Sequence, residues 1–135
     1  MKNRLLNILI VVTGWFFLTG MGQVPQNEVP KPEIRFNATV IDDQGISTKC
    51  QDVSWDGKVY FIGTRGKGTI SIPFEKIKKI VFIGESRGGK KDAQVTLRSG
   101  EVVAVSFDDE NRFYGTTNFG NYRISARNIR EIIFE

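Results

Sequence analysis

The sequence predicts an all-β protein made of two tandem copies of a small five-stranded barrel or sandwich-like unit, packed together after an N-terminal signal or anchor segment. Three observations support this prediction. Residues 52–82 align with residues 104–134 at a constant offset of 52 without a gap. Apolar and polar residues alternate over short segments, as they do in strands. After residue 33 no long helical period is present, which excludes a helical class.

The duplication is the most specific signal in the chain, because gap-free self-similarity at one period indicates a repeated structural unit. A unit of about 45 residues buries too small a fraction of its surface to be stable alone, so the two copies should pack against each other. The aligned copies share eleven identical pairs: Val53/Val105, Ser54/Ser106, Asp56/Asp108, Phe61/Phe113, Gly63/Gly115, Thr64/Thr116, Gly68/Gly120, Ile72/Ile124, Ile77/Ile129, Ile80/Ile132 and Phe82/Phe134.

Residues 1–22 have the pattern of an export signal. Lys2 and Arg4 precede a run of mainly apolar residues that ends near Gly22, as in secretory signal peptides. Cleavage before Gln23 is one interpretation, and an uncleaved membrane anchor over residues 5–22 is the other. Either way the rest of the chain faces an extracytoplasmic space such as the periplasm. Residues 23–33 carry three of the four prolines and are predicted to be an extended linker.

The first β module is assigned to residues 34–84 and the second to residues 92–135. In each module a single helical turn before the last strand is expected, at residues 73–76 and 126–129. Predicted strands of the first copy are 34–41, 46–55, 58–64, 68–74 and 80–83. Predicted strands of the second copy are 94–98, 102–107, 112–116, 121–126 and 131–134.

Residues 85–91 are predicted to be a Gly/Lys linker between the modules, although GESRGGKK resembles a phosphate-binding loop. Lys91 stands where that loop needs Ser or Thr, and a strand pattern follows instead of a helix. Nucleotide binding is therefore disfavoured.

Matched aromatic and glycine positions are assigned structural roles. Trp55/Phe107 and Phe61/Phe113 are predicted to lie in the core, and the paired glycines at strand ends, bulges or close backbone approaches. Cys50, the single cysteine, excludes an intramolecular disulfide and is either a small buried hydrophobe or a residue that pairs between chains.

Five short strands with one helical turn before the last resemble the Sm-like small barrels. The spacing G-x-x-x-I-x-x-x-x-I-x-x-I-x-F, at residues 68–82 and 120–134, is similar to a module of bacterial envelope proteins of unassigned function. This resemblance implies the fold. It does not imply Sm-like RNA binding, because residues 108–111 and 127–129 lack the Asp-x-hydrophobic-x-Asn and Arg-Gly loops that such binding uses.

The residue types argue against catalysis and cofactors. The chain has no histidine, so the commonest general base and zinc ligand is missing. The acidic pairs and triplets at residues 42–43 and 108–110 lie beside predicted turns, where Asp bonds to the backbone. We therefore predict no enzyme activity, no cofactor and no metal site.

Basic and aromatic residues supply the candidate binding groups. Net charge is +4, and two of the nineteen basic residues are Lys2 and Arg4, which leaves +2 for residues 23–135. Aromatic side chains without a core role can contact a partner; these are Tyr60, Phe119 and Tyr122. Cations that can form an anion site are Arg65, Lys67, Lys78, Lys79, Arg87, Lys90 and Lys91.

Two functions follow as hypotheses. The first is an exported, non-enzymatic binding or scaffold protein of the cell envelope that acts through protein–protein interaction, with homo-oligomerisation left open. The alternative is an anion-binding module for acidic lipid, polysaccharide or nucleic acid, which uses the basic central region. Salt separates them, because anion binding weakens steeply with ionic strength and an interface with an apolar core does not.

Overall fold

The structure, a computed structural model, describes residues 34–135 as ten strands and two single 3₁₀ turns. The signal or anchor of residues 1–22 and the linker of residues 23–33 lie outside the described residues. The strands are β1 (Ala38–Asp42), β2 (Ser47–Trp55), β3 (Tyr60–Arg65), β4 (Gly68–Pro73), β5 (Ile77–Arg87), β6 (Lys90–Leu97), β7 (Val102–Asp108), β8 (Arg112–Thr117), β9 (Gly120–Ser125) and β10 (Ile129–Phe134). The 3₁₀ turns, Phe74–Lys76 and Ala126–Asn128, precede β5 and β10. The all-β class and both helical turns are confirmed.

The segment predicted as a linker, residues 85–91, instead forms a tight hairpin between the copies. Arg87 pairs with Lys90, so the turn contains two residues, Gly88 and Gly89. Their φ values are +57° and +79°, and positive φ at both central residues suits the short hairpin turns whose twist matches that of the strands. β5 and β6 are therefore antiparallel neighbours.

The ten strands form one antiparallel sheet in the order β4-β3-β7-β6-β5-β10-β1-β2-β8-β9. Each half of this sheet contains strands of both copies. One half joins β6 and β7 of the second copy to β3, β4 and β5 of the first. The other half joins β1 and β2 of the first copy to β8, β9 and β10 of the second. The copies thus pack together by exchanging strands.

The short Gly88-Gly89 turn explains the exchange. It places β6, the first strand of the second copy, beside β5, where β1 would lie in a self-contained five-stranded unit. β1 in turn pairs with β10. A pseudo-two-fold axis relates the halves, because Ile80 lies opposite its equivalent Ile132 at the centre of the sheet.

The curled sheet encloses a single core that both copies share. Phe61 and its equivalent Phe113 are fully buried, and their rings lie nearly parallel with centroids 6.3 Å apart. Trp55 and Phe107 are also buried, with ring centroids 5.4 Å apart. The four aromatic positions predicted for the core are confirmed.

Gly63 and Gly115 let the exchanged strands approach each other closely. A Cβ at Gly63 would lie 2.8 Å from the carbonyl oxygen of Ser106 on β7, and a Cβ at Gly115 would lie 2.7 Å from Cβ of Cys50 on β2. Real Cβ atoms essentially never come this near. These equivalent glycines are therefore required at two equivalent seams between the copies, the β3–β7 pairing and the β2–β8 pairing.

No helix within residues 34–135 is long and apolar enough to cross a membrane.

Candidate functional site

The sheet ends in two edge strands, β4 and β9, which are equivalent strands of the two copies. Within residues 34–135, β9 is bonded to β8 alone. Thr117 and Gly120 close the β8–β9 turn and form a hydrogen-bonded pair. Along an antiparallel ladder, hydrogen-bonded pairs alternate with pairs whose backbone groups point away from the partner strand. The backbone N–H and C=O groups of Asn121, Arg123 and Ser125 consequently point outward, toward the open side of the sheet.

One residue makes the two edges chemically different. Pro73 of β4 and Ser125 of β9 are equivalent by the offset of 52. Pro73 has no N–H to donate, and proline is among the devices that keep an edge strand from pairing with another chain. Ser125 keeps its N–H. The edge of the first copy is therefore partly blocked at the position where the edge of the second copy is open.

The turns beside the two edges differ as well. Phe119, at the β8–β9 turn, is 86% exposed. Its N–H donates to the Thr117 hydroxyl at 3.2 Å, and that hydroxyl donates to the Gly120 carbonyl at 2.7 Å. The turn is thus held by a side chain while the aromatic ring projects into solvent. The equivalent residue at the β3–β4 turn is Lys67.

The outer faces of the two edge hairpins also differ in charge. Arg123 on β9 lies opposite Tyr114, and Arg112 on β8 lies opposite Ser125. Both arginines are exposed, and among residues 34–135 neither guanidinium forms a salt bridge. Their equivalents in the first copy are Ser71 and Tyr60. Each arginine of the β8–β9 hairpin therefore stands where the β3–β4 hairpin has an uncharged side chain.

A depression of about 400 Å³ lies against the end of β9. Its lining includes Arg112, Tyr114 and Ser125 together with the carboxylates of Asp56 and Glu110. These carboxylates already have partners: Asp56 accepts from the Asn111 amide at 2.8 Å and from the Arg112 backbone N–H at 3.0 Å. Glu110 accepts from the Arg127 guanidinium at 3.3 Å.

Phe119, Tyr60 and Tyr122, the aromatic residues predicted to contact a partner, lie in three different environments. Only Phe119 is fully exposed. Tyr122 is on β9 but points to the inner face, where it packs against the core, and burial raises the pKa of its hydroxyl. Tyr60 is half-buried on the outer face of β3, with the Lys58 ammonium 5.6 Å from its ring centroid. The candidate edge therefore includes two of the three residues, Phe119 in the turn and Tyr122 on the inner face of β9.

The seven predicted anion-binding residues are not brought together on one surface. Lys91 is 6% exposed, and its ammonium donates to the Arg127 carbonyl at 2.8 Å. Burial lowers the pKa of Lys91, while the carboxylates of Asp43 and Glu85 oppose that shift. Lys91 is directed into the protein and is unsuited to bind an external anion.

The other six cations are distributed over different parts of the sheet. The Arg65 guanidinium donates to the Ala104 carbonyl at 3.1 Å, beside Lys67 at the β3–β4 turn. Arg87 and Lys90 flank the turn between β5 and β6, and Lys78 and Lys79 lie in β5, where a bulge interrupts the register with β6. Lys90 also lines a groove of about 390 Å³ in which Asp56 and Asp108 balance its charge and that of Lys58.

Cys50 and the acidic turns have structural environments. Cys50 is buried, and burial raises the pKa of its thiol to about 11. The Asp42 carboxylate accepts from the backbone N–H groups of Gln44 and Ile46, and the Asp108 carboxylate accepts from that of Glu110. Among residues 34–135, no group of three or more Cys, Asp or Glu side chains is arranged to hold a metal ion.

Arg112, Arg123 and Ser125 were not among the site residues that the sequence predicted. Aligning the two copies shows each substitution, Tyr60/Arg112, Ser71/Arg123 and Pro73/Ser125. The alignment does not show that β4 and β9 are the edge strands. The sheet order shows it, and it identifies these three substitutions as differences between the two edge hairpins.

A family model described as "Uncharacterised protein" matches residues 32–135. No curated protein and no solved structure matches the chain.

Proposed function

The chain belongs to the family of that model, and we propose that it is an exported, non-enzymatic binding protein of the cell envelope that holds another protein at the edge strand β9. The signal pattern of residues 1–22 supports the envelope location. The open edge of β9 supports protein–protein interaction. A partner segment in extended conformation would add an eleventh strand to the sheet at this edge.

The observation that carries the proposal is the difference between the two edges. A ten-stranded sheet with two open ends presents two templates for pairing with other chains. In this protein Pro73 partly blocks one edge, whereas the outward N–H groups of Asn121, Arg123 and Ser125 leave the other open. An exposed Phe119 at the turn beside the open edge supplies the aromatic anchor that is common in protein interfaces.

Strand addition uses groups that β9 already presents. Main-chain hydrogen bonds from the edge provide affinity, and side chains on alternating positions provide specificity. The partner bonds to the outward N–H and C=O groups of Asn121, Arg123 and Ser125, while Phe119 contacts the partner beyond the end of the strand. A rigid hairpin reduces the entropy lost on binding.

The test is site-specific crosslinking in intact envelopes. A photoreactive phenylalanine analogue replaces Phe119 in one variant and Lys67, its equivalent beside β4, in a matched control. We expect a discrete adduct with one protein from position 119 and none from position 67. Replacing Ser125 by proline in the same background should diminish the adduct, because it removes one of the outward N–H groups of the open edge.

Two results would overturn the proposal. Equal adducts from positions 119 and 67 would mean that the β9 edge has no special role. Release of the protein from the envelope at moderate salt, with no protein adduct at either position, would favour the anion-binding alternative instead.

A further inference from the structure

We infer that the segment bound at β9 is an acidic, extended strand of a partner protein in which carboxylate and apolar residues alternate. The inference rests on the proposed function and adds the chemistry of the partner. It is carried by Arg112 and Arg123 on the outer face of the edge hairpin and by Tyr122 and Ile124 on its inner face.

Carboxylates on the partner would meet arginines on the outer face. An added strand lies about 4.8 Å from β9, and its residues directly opposite Arg123 and Ser125 lie on the same face as those residues. An acidic residue opposite Arg123 forms a direct cross-strand pair. A second one, opposite Ser125, faces Arg112 across the small serine side chain. Two acidic residues spaced by two along the partner thus satisfy both arginines.

The surrounding charge favours an acidic partner at this end of the sheet. Lys49 lies on the outer face of β2, the strand next to β8. Lys49, Arg112 and Arg123 therefore all lie on the outer face of β2, β8 and β9. At the other end, where the equivalent strands are β7, β3 and β4, the ammonium groups of Lys58 and Lys90 share a groove with the carboxylates of Asp56 and Asp108, so that the two signs of charge balance there. Asp56 and Glu110, the carboxylates near Arg112, are bonded to Asn111 and Arg127.

The intervening residues of the partner would be apolar. Tyr122 and Ile124 lie on the inner face of β9, half-buried against the core. Successive side chains of the added strand point to opposite faces, so residues between the carboxylates extend the inner face and cover these two side chains. The structure therefore predicts a repeat of the form acidic-apolar-acidic-apolar.

The experiment measures binding of synthetic peptides to the full-length chain by fluorescence anisotropy. The probe is the labelled heptapeptide Glu-Val-Glu-Val-Glu-Val-Glu. One control peptide has Gln in place of each Glu, and another has the same composition with the Glu and Val residues in blocks. Both controls should bind at least tenfold more weakly than the alternating acidic peptide.

Variants of the protein connect this binding to the arginines. Arg112→Gln and Arg123→Gln should each weaken binding of the acidic peptide up to about fivefold, the range for an exposed ion pair. Arg123→Glu should weaken it further and improve binding of a Lys-Val alternating peptide. Ser71→Glu, at the equivalent position of β4, is the matched control and should change neither affinity.

The outcomes separate this inference from the proposed function. If adducts from position 119 depend on Ser125 but the arginine variants and peptide charge have no effect, the acidic partner is wrong and edge binding stands. If the adduct is a second copy of the chain, the inferred occupant is also wrong. If neither peptides nor adducts depend on β9, both proposals fail.

Discussion

Replacing Ser125 by proline should block the open edge without harming the fold. Ser125 has φ −78° and ψ 147°, and its equivalent Pro73 has φ −64° and ψ 143°. Proline requires φ of about −65 ± 15°, and the preceding residue, Ile124, lies in a strand, as a residue before proline prefers. The N–H of Ser125 points away from β8. The substitution therefore removes no hydrogen bond of the protein.

The magnitudes differ for stability and for binding. Proline at a compatible position restricts the unfolded chain and typically stabilises a protein by about 0.4 to 1 kcal/mol, so the free energy of unfolding should stay level or rise by that amount. A partner strand loses one backbone hydrogen bond, a net of about 1 kcal/mol, and affinity should fall about fivefold or more. In contrast, Ile124→Pro removes a hydrogen bond to β8, clashes with the ladder and should destabilise the fold.

The assay combines urea denaturation of the full-length variants with crosslinking from position 119. We expect unchanged or increased stability for Ser125→Pro, together with a clearly diminished adduct. A loss of more than 1 kcal/mol of stability would refute the assignment of the Ser125 N–H as an outward group. Unchanged stability with an undiminished adduct would refute binding at the strand edge.

Three further predictions concern the seams, the cysteine and the second edge. Gly115→Ala should destabilise the fold by about 1 to 3 kcal/mol, the range for overpacked sites, because its Cβ would lie 2.7 Å from Cβ of Cys50. Gly68→Ala is the matched control in the same denaturation assay and should cost less, because Gly68 also has no positive φ and its added Cβ would lie at an ordinary 3.6 Å from the Arg65 carbonyl oxygen. Burial raises the pKa of the Cys50 thiol from 9.0 to about 11, so the unfolded chain loses this proton at a lower pH than the folded protein does. The contribution of Cys50 to the free energy of unfolding should be complete below pH 9 and fall by up to about 3 kcal/mol between pH 9 and pH 11. The difference in stability between wild type and Cys50→Ala isolates this contribution, and a difference that does not change with pH would contradict it. Pro73→Ser should give β4 an additional outward N–H group and increase self-association, as measured by sedimentation velocity. Adding Ser71→Lys to this variant should reduce the increase, because a charge on an edge strand disfavours pairing.

The strand content of this protein was accessible from local sequence, but the arrangement of the strands was not. Alternation in the segment ending at Phe107 and the turn-like spacing from Ile124 to Ile129 both act between near neighbours, and both were interpreted correctly. The exchange of strands depends on whether β5 pairs with β6 or with β1, which is a long-range choice. Gly88 and Gly89 decide it, but the basic residues around them make the local sequence indicate a solvated linker.

The candidate site was missed for a related reason. Phe119 was identified because an aromatic residue in a turn pattern has no evident core role. Arg112, Arg123 and Ser125 look like ordinary polar residues of a strand until the sheet order shows that β9 is an end strand of the sheet formed by residues 34–135. Several of the predicted cations are close together in sequence. However, successive side chains of a strand point to opposite faces of the sheet, as those of Lys90 and Lys91 do.

The internal duplication provides a comparison that a single-copy protein lacks. The pairs that remain identical lie mainly at the pseudo-two-fold axis and at the seams, as Ile80/Ile132, Phe61/Phe113 and Gly63/Gly115 do, where both copies experience the same packing. Two pairs in the edge strands are also identical, Gly68/Gly120 and Ile72/Ile124. In the same strands Ser71 and Arg123 differ in charge, and Pro73 and Ser125 differ in backbone chemistry although they adopt nearly the same backbone conformation. Packing therefore does not explain the difference between Pro73 and Ser125. The proposed binding of a partner at β9 accounts for the difference, because it requires one edge to be closed and the other to stay open.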